Sequence, residues 1–598
     1  MSENPGVENI ENLLKKVDSG TYVIPYFQRG FEWDPSMVCD LFESILQNYY
    51  CGLLLLWELD AESAKREKWD PIWGAKLKES PPEKAILDGQ QRLASLYFAI
   101  NNPKKRFPKR YSYYTFYINL NKILNQEYEG SVTYSYSSNY RDFKKLNKNK
   151  SWKEDGIVPL SILSEKDPIN PAKKYIDSKE FDEHLNFYFD KYKDKLPNGL
   201  TIHNIYQVFN GILNYSFVFY PLSKERELPD ICNIFAKVNA KGMRLSTFDL
   251  MNAFLYPKGV KLRKELWENM NYSKLKNADS RMNEYLLKQM SLVKQSYCSS
   301  KFIYNLIPGE KTGRKDEKGK TYEDILIKDG KDFTKLWERS CLYAEKARKC
   351  IMNTGFSDFG AIKESFIPNT TIIPVLGAIL SIYDTSSLEK DFKEKIKKWY
   401  WAAVLSGEYS GSSDTIMAED YRDLKNWIEN KGNIRRIKNL NRQFIEDLDL
   451  LSARRGSALY NAILCLLALS DSRDFFKGQI VGVGDYANEK INDHHIFPKK
   501  ISRAKIKKSD KFNTYKDFIL NRTLLLDETN IRIRNKRPSL YLKEVINHIG
   551  SEEDTKKLMK THFIDSEAYN YLKENDFDNF IEAREKSMKQ HIIEKLGL

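Results

Sequence analysis

Cysteine is scarce in this chain. Seven occur in 598 residues, at positions 39, 51, 232, 298, 341, 350 and 465, and no two stand in a CxxC spacing. That argues against a disulfide-stapled fold and a thiolate-held zinc, and it fits a reducing cytoplasm. Long apolar runs are also missing. The longest, residues 462–469, is too short to span a bilayer and reads as a buried helix. The opening MSENPGVENIENLL has neither a basic leader nor an apolar stretch, so neither a signal peptide nor a membrane partner is expected. No GxxxxGK[ST] occurs, which excludes a P-loop. Acid is short relative to base: 82 Asp and Glu against 96 Lys and Arg leave a formal charge of +14. A basic surplus favours a polyanionic partner, nucleic acid first. Histidine is as rare as cysteine, with seven in the chain, so an adjacent pair of them is informative.

What is present is a globular balance, 41% hydrophobic and 30% charged, on a chain too long for one core. Two or three domains are expected. Aromatic residues at 13% argue for packed cores and at least one sheet. Residues 8–18 and 35–50 carry helical spacing, and LLLLWEL at 53–59 reads as a buried strand. AILDGQQRLASLYFAI at 85–100 reads as strand, Asp-Gly turn and helix. RYSYYTFYINL at 110–120 and NYSFVFYPL at 214–222 read as strands of one sheet, with the polar stretch 125–200 inserted between them. Residues 230–256 read as helix, loop, helix, with Ser246 or Thr247 capping the second. Helical patterns then dominate to about 475. The expected division is 1–256, 257–475 and 476–598.

Within the last segment stands Asp493-His494-His495-Ile496-Phe497-Pro498. Two imidazoles beside a carboxylate at a strand end can divide one task, one holding a divalent cation and the other taking a proton from water. Asn521 and Asn530 follow in NRTLLLDETNIRIRNKRPSLYL. This order resembles the HNH, or ββα-metal, nucleases. The resemblance implies His495 as general base, His494 as first metal ligand, Asn521 as the residue orienting the base and Asn530 as the last ligand, where many members have His. Asp493, Asn535 and His548 are fallback ligands. Magnesium or manganese is the implied cation, and Lys499, Lys500, Lys507, Lys508, Arg532, Arg534, Lys536 and Arg537 are candidate phosphate contacts.

Near the start, IPYFQRGFEW (24–33) and LDGQQRL (87–93) each set Gln beside Arg. Arg29 and Arg92 offer planar forks for phosphate, and the helix after Asp88-Gly89 points free N–H groups outward. The alternative, which spacing alone favours, is an Asp88–Arg92 ion pair that merely caps the helix. Together with FAKVNAKGMRLSTFDL (235–250) and the C-terminal motifs, these segments resemble the GmrSD family of modification-dependent DNA endonucleases. That implies a mixed α/β protein: a ParB/sulfiredoxin-like α+β domain, a mainly helical middle and a C-terminal HNH domain. It implies a nucleotide pocket lined by Gln28, Arg29, Asp88, Gly89, Gln90, Gln91 and Arg92, with Asn239, Gly242 and Arg244 as a third wall. A nucleoside triphosphate and phage or modified DNA are then the expected partners, with a homo-oligomer where both strands are cut. A toxin-like ribonuclease and a nucleotide-regulated DNA-binding protein with an inactive nuclease remnant are the alternatives.

Overall fold

The protein is described here by a computed structural model covering residues 4–103, 105–108, 110–140, 152–166, 170, 173–239, 246–315, 321–352, 359–383, 390–410, 413–432, 434–481, 491–501, 506–507 and 510–598. It is a mixed α/β chain of two compact units, Met1–Lys261 and Leu262–Leu598. Among the described residues no helix is long and apolar enough to cross a membrane. None of the seven cysteines, all of them among the described residues, is in a disulfide.

The first unit is built on a six-stranded mixed sheet. Its strands are β1 (Gly6–Asn9), β2 (Tyr22–Pro25), β3 (Leu54–Glu58), β4 (Trp69–Pro71), β5 (Lys84–Asp88) and, after three strands belonging elsewhere or intervening, β9 (Ser216–Leu222). The order across the sheet is β1-β9-β3-β5-β2-β4. The pleat explains why LLLLWEL is apolar throughout. Leu54 and Leu56 enter one core cluster with Ile86, while Leu55 and Trp57 enter another with Ala85 and Leu87. Both faces are covered, so alternation gives way to a continuous apolar run. One cover is formed by α1 (Ile10–Ser19), α2 (Pro35–Leu46) and α3 (Gln90–Asn101), and the other by α4 (Leu228–Asn239) and α5 (Thr247–Leu255). Ser246 caps α5 in a reciprocal box with Asp249.

The two tyrosine-rich runs do not share a sheet. Strand β6 (Tyr113–Asn119) pairs with β7 (Val132–Ser137) and β8 (Ile157–Pro159) in a separate three-stranded sheet. The polar stretch 125–200 is therefore partly strand. VTYSYS alternates polar and aromatic side chains, and Tyr136 and Tyr134 lie opposite Tyr114 and Phe116. Aromatic content marked both runs as strands, but propensity carries no information about which partner a strand takes.

The second unit is helix-rich. Helices Met282–Gln295, Gly330–Ile351 and Ile373–Ile382 pack on one another, and Ile373–Ile382 is buried nearly all round. It also holds a hairpin of β10 (Lys311–Lys315) and β11 (Thr321–Ile325). Near the C-terminus β12 (Ile491–His495) pairs antiparallel with β13 (Arg522–Leu526). Helix α6 (Ala458–Leu469) packs on β13, so the helical middle and the last segment form one unit rather than two. After β13 come α7 (Asp527–Ile533), α8 (Pro538–Ile549) and, at the end, α9 (Phe577–Leu596).

Candidate functional site

Two places gather the residues singled out above. The first is a cavity of about 590 Å³ in the N-terminal unit, lined by Gln28, Arg29, Trp33, Asp88, Gly89, Gln90, Gln91 and Arg92 among others. The strand-to-helix turn at its floor needs glycine. Gly89 has φ +92°, and a Cβ there would lie 2.2 Å from Leu54 Cδ2. Gly89 offers no side-chain cap, so the first N–H groups of α3 are left unbonded by the N-cap.

Most of the motif side chains are engaged inside the protein. Gln28 is buried and donates Nε2 to Ile86 O at 2.7 Å. Gln90 donates to Arg29 O at 2.9 Å, and Gln91 donates to Gly30 O at 3.0 Å while its Oε1 accepts from Glu32 N at 2.7 Å. The two motifs thus stitch one loop to one helix. Arg92 donates to Cys51 O at 2.5 Å and to Leu53 O at 2.8 Å, and pairs with Asp88 at 3.2 Å. Its fork is filled by backbone carbonyls. Arg29 differs: it is half-buried, lines the cavity and pairs with no acid among the described residues. Asn239 ends α4, while Gly242 and Arg244 lie outside the described residues, as does the Asn239 side chain.

The second place is the β12–β13 hairpin with α7, which follows β13 without a loop. His494 faces Thr523 and His495 faces Arg522 across the ladder. Asn521 is fully buried. It accepts from Phe497 N at 2.8 Å and donates to Phe497 O at 3.0 Å and Lys516 O at 2.9 Å, which fixes the chain just after His495. Asp493 is buried, takes the Tyr460 hydroxyl at 2.5 Å, and lies 3.4 and 3.6 Å from Arg455 and Arg522. It fastens the strand to α6.

The two imidazoles stand otherwise. His494 is 8% exposed, and its Nε2 has no hydrogen-bond partner among the described residues. Burial first, then the neighbouring His495 and Arg522, lowers its pKa to about 4, so the ring is neutral. His495 Nε2 lies 2.9 Å from Asp517 Oδ1. Burial, then Arg522, holds His495 below its usual range, against the pull of Asp517. Asp517 also pairs with Arg522 at 3.0 Å and Lys499 at 3.2 Å. Burial works to raise its carboxyl, but the bonds to His495 and Lys499 bring it below the ordinary range. Among the described residues no three His, Cys, Asp or Glu side chains converge as a ready cation cluster.

Asn530 lies within α7, whose start is pinned twice. Asn492 of β12 bonds Asp527, and fully buried Asp474 accepts from Leu526 N at 3.1 Å and Thr529 Oγ1 at 2.6 Å. Arg584 of α9, fully buried, donates to Leu520 O at 2.6 Å and Arg522 O at 2.7 Å, and burial lowers its pKa to about 9. Asp517, Asp474 and Arg584 carry no local motif; they act on partners 22, 52 and 64 residues away in sequence, separations that only folding closes. The basic residues divide as well. Lys499 pairs with Asp517, Lys507 with Glu574, and Lys536 and Arg532 share Glu544. Lys500, Arg534 and Arg537 have no acid partner among the described residues, and Lys508 lies outside them. His548 packs on Phe476, and Asn535 is exposed.

Residues 10–256 match the family model described as GmrSD restriction endonuclease, N-terminal domain. The match spans the sheet from β2 onward, the cavity and α5. Over its whole length the chain is similar to Uncharacterized protein MJ0686 of Methanocaldococcus jannaschii, at 29% identity over 634 aligned residues that take in 99% of each chain.

Proposed function

We propose, from the match of residues 10–256 to the GmrSD restriction endonuclease N-terminal domain family, that the chain is a DNA endonuclease whose cutting site is the β12–β13–α7 segment. The observation that carries the reading is the open, neutral Nε2 of buried His494 one residue before the carboxylate-bound His495. A buried imidazole nitrogen without a protein partner is costly unless it serves a ligand. Its donor chemistry fits a divalent cation.

The hairpin geometry supports Asn530 as a second ligand. Asn492 and His494 share a strand face, about 6.6 Å apart. Asn492 meets Asp527, and Asn530 stands three residues further along α7, about 4.5 Å in rise. α7 contacts both β12 and β13, and in this reading Asn530 joins His494 at the cation. Magnesium or manganese bound there would stabilise the charge developing on the phosphate and the leaving oxygen. Asp493 is taken by Tyr460, so it serves as an anchor.

His495 takes the proton of the attacking water. Donation of Nε2–H to Asp517 fixes the tautomer, leaves the Nδ1 lone pair for the proton and stabilises the imidazolium that forms. Its lowered pKa keeps the ring neutral at pH 7. Asn521 holds the chain that carries it. Lys500, Arg534 and Arg537, which have no acid partner among the described residues, meet the DNA backbone.

The N-terminal cavity is the regulatory pocket in this reading, and a nucleoside triphosphate is its ligand. Support comes from a volume in the range of small-molecule sites, the α3 N-terminus and the unpaired Arg29. Arg92 shapes the pocket instead of gripping phosphate. The test is plasmid DNA with magnesium, and an RNA of the same sequence beside it, comparing wild type with His495→Ala. Cutting of DNA by the wild type alone supports the reading. Equal cutting by both proteins, or cutting of RNA only, overturns it.

A further inference from the structure

We infer that Lys363, on the loop before Ile373–Ile382 in the helical middle, is a DNA phosphate contact of the cutting site. Its ammonium sits at the foot of β12, 3.3 Å from Ile491 O and 3.5 Å from Asn492 Oδ1. It lies over the Phe366 ring at 4.3 Å and has no carboxylate within ion-pair distance among the described residues.

Three observations point to a ligand. The first is the weakness of its present bonds. Two long contacts to neutral oxygens leave a half-buried cation undersatisfied, where full satisfaction calls for three good acceptors. The second is position. Asn492 lies two residues before His494 on the same strand face, so Lys363 stands beside the candidate cation site, where a phosphate flanking the scissile one would pass. The third is how firmly it is held. Asn461 of α6 donates to Ser365 O at 3.1 Å and Ile367 O at 3.3 Å. The neighbouring Tyr460 bonds Asp493 of β12. One helix therefore fixes both the strand and the loop that aims the lysine at it. A side chain held this way keeps little freedom to lose on binding. Burial lowers the pKa of Lys363, with Asp493 and Asp527 opposing, which agrees with a cation that gains from an incoming anion.

This inference rests on the endonuclease reading, and its test separates the two. Binding of a linear duplex DNA by the full chain is measured against KCl concentration without divalent metal, for wild type, Lys363→Met and Lys363→Arg. A phosphate contact makes Lys363→Met bind about tenfold more weakly and lowers the log–log salt slope by about 0.9, with Lys363→Arg close to wild type. A purely structural lysine would lower the unfolding temperature and leave the slope unchanged, which overturns the inference. His495→Ala is carried alongside. If it binds DNA like wild type and fails to cut with magnesium, the endonuclease reading stands whatever Lys363 does. If the wild type neither binds nor cuts DNA, both fall.

Discussion

The N-terminal cavity and the C-terminal hairpin both announce themselves by short polar motifs, but the fold uses those motifs differently. In the cavity, four side chains of the QRG and DGQQR motifs bond backbone within the unit, and Arg29 remains open. In the hairpin, Asn521 bonds backbone and Asp493 is taken by Tyr460, while His494 Nε2 has no partner among the described residues and His495 holds a carboxylate. A motif is therefore a mixture of scaffold and reagent. Residue type does not separate the two classes; the identity of each bond partner does.

This contrast can be broken most sharply at the hairpin. His495→Ala should reduce DNA cutting by about 10²–10⁴-fold, with an unfolding temperature close to wild type. A large loss of stability would make His495 scaffold. Asp517→Asn should lower kcat by a smaller factor and move the acidic limb of the pH–rate profile to lower pH, because the carboxylate that raises the His495 pKa and fixes its tautomer is gone. Asn521→Ala should act through stability. Removing three buried hydrogen bonds costs about 2–4 kcal/mol, read as a lower urea midpoint.

The same division predicts opposite behaviour for the two arginines of the cavity. Arg92→Met leaves the Cys51 and Leu53 carbonyls unpaired and should cost about 1–3 kcal/mol. Arg29→Met should leave the unfolding midpoint alone and weaken nucleoside triphosphate binding by about tenfold or more, measured by calorimetry. If Arg92→Met weakens binding while leaving stability intact, the roles are reversed.

Much of the local structure around the candidate site was legible because its motif is compact. His494, His495, Asn521 and Asn530 fall within 37 residues in the order a hairpin and helix require, and the strands and helix form where that order implies. The division between Arg29 and Arg92 was not legible, because both stand beside glutamine and only the Gly52 turn decides which fork meets carbonyls. Asp517 reads in sequence as one more surface acid. Its role appears only when Ile496 and Phe497 are tied to Asn521, which brings His495 back over it. The strands β7 and β8 were hidden by a composition rich in Lys, Asn and Ser, although the alternation in VTYSYS was present to be read.

Two smaller effects sharpen the comparison. His494 and buried His562, which bonds Thr523 and Arg473 O, are both held near pKa 4 by burial, below the ordinary 6.5. The unfolded chain therefore takes up protons first as pH falls. Stability is full above about pH 6.5 and declines toward pH 4, so the urea midpoint should be lower at about pH 5 than at about pH 7. An unchanged midpoint would contradict neutral burial of these rings. The smallest effect is at Arg534, which ends α7 at φ +49° and ψ −120°, a conformation suited to glycine. Arg534→Gly should stabilise the chain by about 1 kcal/mol while weakening DNA binding.

The central claim is that one imidazole holds a cation while its neighbour handles the proton. Manganese binding by the full chain, titrated calorimetrically for wild type, His494→Ala and His495→Ala alongside plasmid cutting, tests it most directly. The account predicts that both variants fail to cut, that His494→Ala loses manganese binding and that His495→Ala retains it. Retention of manganese binding by His494→Ala would contradict it.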